Sequence, residues 1–206
     1  MNLTDEKLER LKQFLAAWGA AEKAIKITEQ ANNSTYIPAI LELRYAGRKI
    51  VRAFSIYIEN GDLGAAHDLI QDAIFDCHRA RHDATDTATA YIAARLELAV
   101  NRLGITNVRE QFPNYGELRG RLASVRRKIA NVRQAQEDRH STYEEIEDHE
   151  LPEIMELFEQ FLEGEGEMRR RRMLVAIKEF GAAYGWILAT LIAIFAIVLH
   201  QWQAGG

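Results

Sequence analysis

The chain has 206 residues, with 30 acidic and 26 basic side chains and a formal net charge of −4. This slightly acidic balance argues against nucleic-acid binding by bulk charge, and the single cysteine, Cys77, excludes an internal disulfide or a cysteine-based zinc cage within one chain. Because prolines are few and no stretch alternates cleanly between apolar and polar residues, the sequence predicts an all-α protein.

The predicted all-α fold is a cytoplasmic helical bundle with a long coiled-coil-like helix and a single C-terminal transmembrane helix. Gly164 and Gly166 predict a hinge after the bundle, because glycine permits more backbone conformations than other residues. The predicted divisions are a bundle at 1–163, a hinge and basic juxtamembrane segment at 164–180, a transmembrane helix at 181–202 and a far-side tail at 203–206.

Two neighbouring helices of the bundle are expected to carry charged stripes. Residues spaced by four lie on one face of a helix. The basic stripe is Arg44, Arg48 and Arg52, and the acidic stripe is Asp68, Asp72 and Asp76. The two helices either face each other with opposite charge, in exposed pairs worth about 0 to 1 kcal/mol each, or present a stripe to a protein partner. Both interpretations stay open on the sequence.

His78, His82 and Asp86 follow the acidic stripe, also at a spacing of four. Three ligands on successive turns extend over about 12 Å, so one ion could be reached by His78 and His82 but not by all three residues. A solvated or salt-bridged helix face accounts for the same pattern. The sequence therefore predicts neither a metal site nor a cofactor.

The most regular apolar pattern alternates steps of four and three, which is typical of coiled-coil packing within a chain or between copies. Its apolar members are Leu118, Leu122, Val125, Ile129 and Val132. Gln136, Arg139 and His140 then interrupt the seam, and a polar layer of this kind can set register or oligomeric state. We therefore expect a homo-oligomer.

One pair of residues on this stretch is a candidate for catalysis. Arg133, six intervening residues and His140 match the R-x4-6-H pattern, in which the chain resembles the all-helical HEPN ribonucleases. The resemblance implies that His140 acts as acid or base at a ribose 2′-hydroxyl, that Arg133 stabilises the phosphate, and that two protomers form the site. Under this alternative the chain is a metal-independent endoribonuclease and RNA is its partner.

A stretch without formal charge runs from Gly181 to Trp202 and is long enough to cross a hydrocarbon layer of about 30 Å. Basic residues precede it, whereas none follows it, so the positive-inside rule places the N-terminal bundle in the cytoplasm. The predicted interface residues are Arg169, Arg170, Arg171, Arg172, Lys178, Trp186 and Trp202. The predicted partner is membrane lipid, and a bacterial inner membrane is the simplest setting.

Gly181 and Gly185 form a G-x-x-x-G pattern at the entry to this span, where small residues let helices approach closely. The same pattern also arises because glycine is frequent in membrane helices. The predicted function is a tail-anchored, self-associating scaffold or membrane effector, of the oligomeric pore, toxin or defence type by analogy. The alternative is the membrane-anchored HEPN-like ribonuclease.

Overall fold

The computed structural model describes residues 5–135 and 139–204, and nearly all of them are helical. The prediction of an all-α protein is therefore confirmed. The elements are α1 (Asp5–Asn32), α2 (Ile37–Asn60), α3 (Leu63–Leu103), α4 (Ile105–Gln111), α5 (Tyr115–Ala135), α6 (Arg139–Glu145), a π-helical turn (Ile146–Glu150) and α7 (Leu151–Ala204). Gln136, predicted to take part in oligomerisation, lies outside the described residues.

Short-range signals in the sequence set the helix ends. Asn33 takes a left-handed backbone conformation (φ 49°) directly after α1. Gly61, also left-handed (φ 61°), closes α2, as expected for a residue without a Cβ atom. Asp62 caps α3, since its Oδ1 accepts hydrogen bonds from the backbone N–H groups of Gly64 (3.0 Å) and Ala65 (3.1 Å).

The long helix α3 connects two apolar cores. Its N-terminal half packs against α1 and α2 through alanines that are almost completely buried, which lets the helix axes approach closely. These alanines are Ala21, Ala24, Ala39, Ala46, Ala73, Ala80 and Ala84. Thr28 of α1 is also buried, and its Oγ1 lies 2.8 Å from the carbonyl oxygen of Ala84. This first core therefore holds α1 and α2 against one side of α3.

The second core joins the C-terminal half of α3 to α4, α5, α6 and the first turns of α7. The coiled-coil-like seam of α5 belongs to it, because Leu118, Leu122, Val125, Ile129 and Val132 are all buried. The seam thus packs within the chain, which was one of the two arrangements that the sequence left open. Arg139, just beyond the seam, is exposed.

The last helix, α7, has two different halves. Its first half supplies fully buried side chains to the second core, among them Ile154, Phe158, Phe161 and Met168. The helix then continues through 164–180, where two glycines predict a hinge, and this segment is helical throughout. Within the described residues, one helix is long and apolar enough to cross a membrane, and its apolar window, of mean hydropathy 2.0, has no buried residue.

Candidate functional site

Residues that the sequence analysis assigned to two separate candidate sites meet at one place, where α3 faces α6 and the end of α5. We call this group the histidine cluster. It consists of His78, His82 and Asp86 on α3, Arg133 on α5, and His140 and Tyr143 on α6. The spacing of four along α3 puts its three members on one face, and α6 lies across that face.

The rings of the histidine cluster contact one another in sequence. The ring centroids of His78 and His140 are 3.6 Å apart in a tilted arrangement, and those of His82 and Tyr143 are 3.9 Å apart and stacked, with an interplanar angle of 22°. His140 also lies 5.5 Å from His82. His140 therefore packs against both α3 imidazoles.

Asp86 connects Arg133 to the rings of the histidine cluster. The buried Tyr143 hydroxyl donates a hydrogen bond of 2.9 Å to Asp86 Oδ1, and the Arg133 guanidinium forms an ion pair with Asp86 Oδ2. Burial raises the pKa of the Asp86 carboxyl, while the hydrogen bond from Tyr143 and the charge of Arg133 act in the opposite direction. Arg133 and His140 thus belong to one network, linked through Asp86, Tyr143 and His82.

The geometry does not favour a metal ion at the weak candidates His78 and His82. Their ring centroids are 6.4 Å apart, and Asp86 is engaged by Arg133 and Tyr143. Across residues 5–135 and 139–204, no group of three or more His, Cys, Asp or Glu residues is placed to hold a metal. The histidines instead contact other rings.

Electrostatics keep one histidine of the cluster neutral. Burial, and after it the charges of the nearby His140, His78, Arg81 and Arg139, together lower the pKa of His82 to about 3, because each disfavours a positive charge on this ring. Among the described residues, Nε2 of His82 has no hydrogen-bond partner. His82 therefore fills space and stacks, rather than carrying a charge.

This low pKa predicts a pH dependence of folding. The unfolded chain protonates His82 near its usual pKa of about 6.5, whereas the folded protein does not, so this contribution to stability is lost as pH falls below that value. When the pH is lowered from about 7 to about 5, we expect the melting temperature of the His82→Asn variant to fall less than that of the unaltered protein. Thermal unfolding at both pH values measures the difference, with His67→Asn, on the first turns of α3, as control. An equal acid sensitivity in all three proteins would contradict the assignment.

A buried ion pair beside the cluster was missed by the sequence analysis. Arg81 Nε donates a hydrogen bond of 2.8 Å to Glu147 Oε2, and the Thr85 hydroxyl donates one of 2.7 Å to Glu147 Oε1. Glu147 lies in the π-helical turn and is only 2% exposed. The extra residue of this turn directs both Ile146 and Glu147 inward. No motif or spacing distinguishes Arg81 and Glu147 from surface charges in the sequence.

Comparison with protein-family models, curated proteins and solved structures found no match for the chain.

The chemistry open to the histidine cluster follows from its contacts. An imidazole can serve as a general acid or base, and a guanidinium such as that of Arg133 can bind a phosphate. A phosphate at this place would have to compete with the Asp86 carboxylate for Arg133.

The two charged stripes approach each other at one place, where Arg48, Arg52 and Asp76 line the same groove. Of the acidic stripe, Asp76 is buried, and its Oδ2 lies 2.7 Å from Lys49 Nζ, a residue outside the basic stripe. Asp68 and Asp72 are exposed. The basic-stripe residues Arg44, Arg48 and Arg52 are also exposed, and none of them forms an ion pair with a described residue.

The predicted membrane-interface residues all lie on the exposed part of α7. Arg170 pairs with Glu167 (3.9 Å), and Arg171 pairs with Glu110 of α4 (2.9 Å). Trp186 and Trp202 are 68% and 80% exposed. The remaining predicted interface residues, Arg169, Arg172 and Lys178, are exposed as well.

Proposed function

We propose that the chain is a tail-anchored membrane protein whose helical domain stays in the cytoplasm and serves as a self-associating scaffold or membrane effector. One observation carries this proposal. Large apolar side chains cover the second half of α7, and they are exposed, including Ile187, Leu191, Phe195 and Trp202. Such a surface is stable next to lipid but not in water.

The continuity of α7 supports the proposal, because the same helix packs into the second core at one end and presents an exposed apolar surface at the other. Met168 is fully buried, whereas every residue whose burial is described from Arg169 onward is exposed. The helical domain would therefore sit near the membrane, separated from the span by the exposed helical segment 169–180. The arginines that precede the span support a cytoplasmic domain.

Self-association through the span is supported by the two glycines at its entry. A Cβ atom added at Gly181 or Gly185 would meet no described atom within 4 Å, so this side of the helix is open to a second copy. Close approach of helices at small residues is a common mode of association in membranes. Because the α5 seam is buried within the chain, the span is the better candidate for the contact between copies.

We expect the double substitution Gly181→Ile and Gly185→Ile to lower the oligomeric state of the full-length protein, because the branched side chains keep the helices apart. Size exclusion with light scattering on protein in detergent measures the mass. Ala183→Ile places the same branched side chain on another face of the same helix and serves as control. A full-length protein that is already monomeric, or an equal effect of both variants, would contradict the proposed contact.

A second candidate is the HEPN-like endoribonuclease, and one observation favours it. The structure connects Arg133 and His140, separated by six residues in the sequence, through a single network with Asp86, Tyr143 and His82. Metal-independent phosphodiester cleavage needs a general acid or base and a group that stabilises the charge of the phosphate, and a histidine with a nearby guanidinium can supply both. Arg139 is exposed, so a second protomer has access to this edge of the cluster.

If this candidate is correct, His140→Ala should lower the cleavage of single-stranded RNA in the presence of a metal chelator by roughly 10²- to 10⁴-fold. Gel analysis of a labelled RNA measures the rate. His67→Ala, away from the cluster, should cleave at the unaltered rate. Absence of cleavage by the unaltered protein would retire the ribonuclease candidate before any variant is made.

A further inference from the structure

A groove lies where the last turns of α3 pack beside α7, immediately before the apolar half of α7. It has a volume of about 340 Å³, which is within the range of small-molecule sites. Two kinds of side chain line it. The charged ones are Arg95, Arg102, Glu165, Arg169 and Arg172, and the apolar ones include Leu98, Met173 and Ala176.

The charges of this groove are unbalanced. Four arginines line it, but Glu165 is the only carboxylate among the lining residues, and it is shared by Arg95 (2.9 Å) and Arg169 (3.0 Å). Arg102 and Arg172 are exposed, and neither forms an ion pair with any residue in the described ranges. The groove therefore keeps an excess positive charge, which suits an anion, and arginine is well suited to phosphate.

The groove divides the arginines of α7 into two pairs. Arg169 and Arg172 are three residues apart and share a helix face, which is the face that lines the groove. Arg170 and Arg171 do not line it and pair with Glu167 and Glu110. The basic segment is thus not a uniform patch, because only half of it is directed into a preformed site.

The apolar side of the groove indicates which kind of anion fits. Met173 and Ala176 line it and continue directly into the exposed apolar surface of α7. A molecule bound here would place its phosphate among the arginines and an apolar part along α7 toward the span. A free phosphate would leave the apolar lining in water, whereas a phospholipid covers both parts.

The distance to the membrane is compatible with a lipid. Arg172 precedes Gly181 by nine residues, a rise of about 13 Å along a helix. The headgroup layer is roughly 5 to 7 Å thick on each side of the bilayer, and long arginine side chains extend toward it. The end of the groove at Ala176, five residues or about 7 Å before Gly181, would therefore lie at the outer edge of the headgroup layer, and the Arg172 side chain would extend toward the phosphates from the domain side.

We propose that this groove binds the phosphate headgroup of an anionic phospholipid, with Arg102 and Arg172 as its principal ligands. The inference rests on the proposed membrane anchoring, since only an anchored chain holds the groove beside lipid. It adds a site that selects lipids by headgroup charge and joins α3 to the membrane. The docked lipid would fix the tilt of the helical domain relative to the span.

The test compares the full-length protein with two double variants. Arg102→Gln with Arg172→Gln removes two groove charges, and Arg170→Gln with Arg171→Gln removes the same formal charge outside the groove. Each protein is supplied with equal amounts of phosphatidylglycerol and phosphatidylcholine in mild detergent, and native mass spectrometry measures the ratio of the lipids retained. We expect the groove variant to lose roughly 10- to 30-fold of the preference for phosphatidylglycerol, and the other variant to lose less than about threefold.

Equal losses in the two variants, or no preference in the unaltered protein, would overturn the groove as a specific site. Displacement of phosphatidylglycerol by inorganic phosphate, at matched ionic strength, would show that the groove takes a free phosphate and would overturn the lipid assignment. Extraction of the unaltered protein from vesicles by alkaline carbonate would overturn the membrane anchoring itself. The carbonate extraction is measured separately from the lipid ratio, so failure of the membrane anchoring can be distinguished from failure of the lipid site.

Discussion

Replacing Glu147 by Ala is expected to lower the free energy of unfolding by about 3 to 5 kcal/mol. The substitution leaves the Arg81 guanidinium, which is 7% exposed, without its 2.8 Å partner, and it removes the acceptor of the Thr85 hydroxyl. An uncompensated buried charge is among the most destabilising changes a core can receive. Since domains are stable by about 5 to 15 kcal/mol in total, this variant would be close to unfolding. Urea denaturation followed by circular dichroism measures the effect.

Two comparisons isolate the buried charge as the cause. Glu145, two positions before Glu147, is an exposed carboxylate that pairs with Lys128 (2.7 Å), so Glu145→Ala should lower stability far less than Glu147→Ala does. Replacing both partners, by Glu147→Ala with Arg81→Leu, should cost less than Glu147→Ala alone, because no buried charge is then left unpaired. A Glu147→Ala variant as stable as Glu145→Ala would mean that water reaches Arg81 and that the Arg81–Glu147 ion pair is not buried.

The helix ends could be predicted because their causes are local. Gly61 and Asp62 act within a few residues of their own positions, the first through its freedom to take a positive φ and the second through a cap. The apolar half of α7 could likewise be predicted, because a long uncharged stretch is a property of the sequence itself. Signals of these kinds can be recognised in the sequence without knowledge of the fold.

The histidine cluster could not be predicted, because its members come from different parts of the chain. His78 and His140 are 62 residues apart, and their contact depends on how α6 crosses α3. Periodicity assigns a face to each helix separately and does not state which faces meet. It treated His78, His82 and Asp86 as one candidate and Arg133 and His140 as another, although Asp86 and Arg133 are direct partners.

The pair Arg81 and Glu147 shows a different limit. Charged side chains are mostly exposed, so a sequence reading assigns them to the surface unless a partner is visible. Here the partner lies in a π-helical turn in which the adjacent residues Ile146 and Glu147 are both buried, whereas the charge of a glutamate assigns it to the surface in a sequence pattern. The sequence alone contains no signal for that turn.

Removing residues from Met173 onward is expected to move the protein almost completely from the membrane to the soluble fraction. The deleted segment contains nine Leu, Ile, Phe and Val residues between 181 and 202, which favour insertion by at most about 3 to 5 kcal/mol at roughly 0.3 to 0.6 kcal/mol each. The domain itself should stay folded and strongly helical, because beyond Met168 every α7 residue whose burial is described is exposed. Fractionation and circular dichroism measure the two outcomes.

A truncation after Trp202 removes only the tail beyond the span and should remain in the membrane, which separates loss of the anchor from any effect of shortening the chain. The longer truncation keeps the Asn107 side-chain bond to the Met168 carbonyl (2.9 Å) and the Arg171–Glu110 pair, so the contacts of α4 with α7 are preserved. If the domain truncated at Met173 were unfolded, the second half of α7 would have to pack on the core rather than on lipid. The domain boundary and the membrane anchoring would then both be wrong.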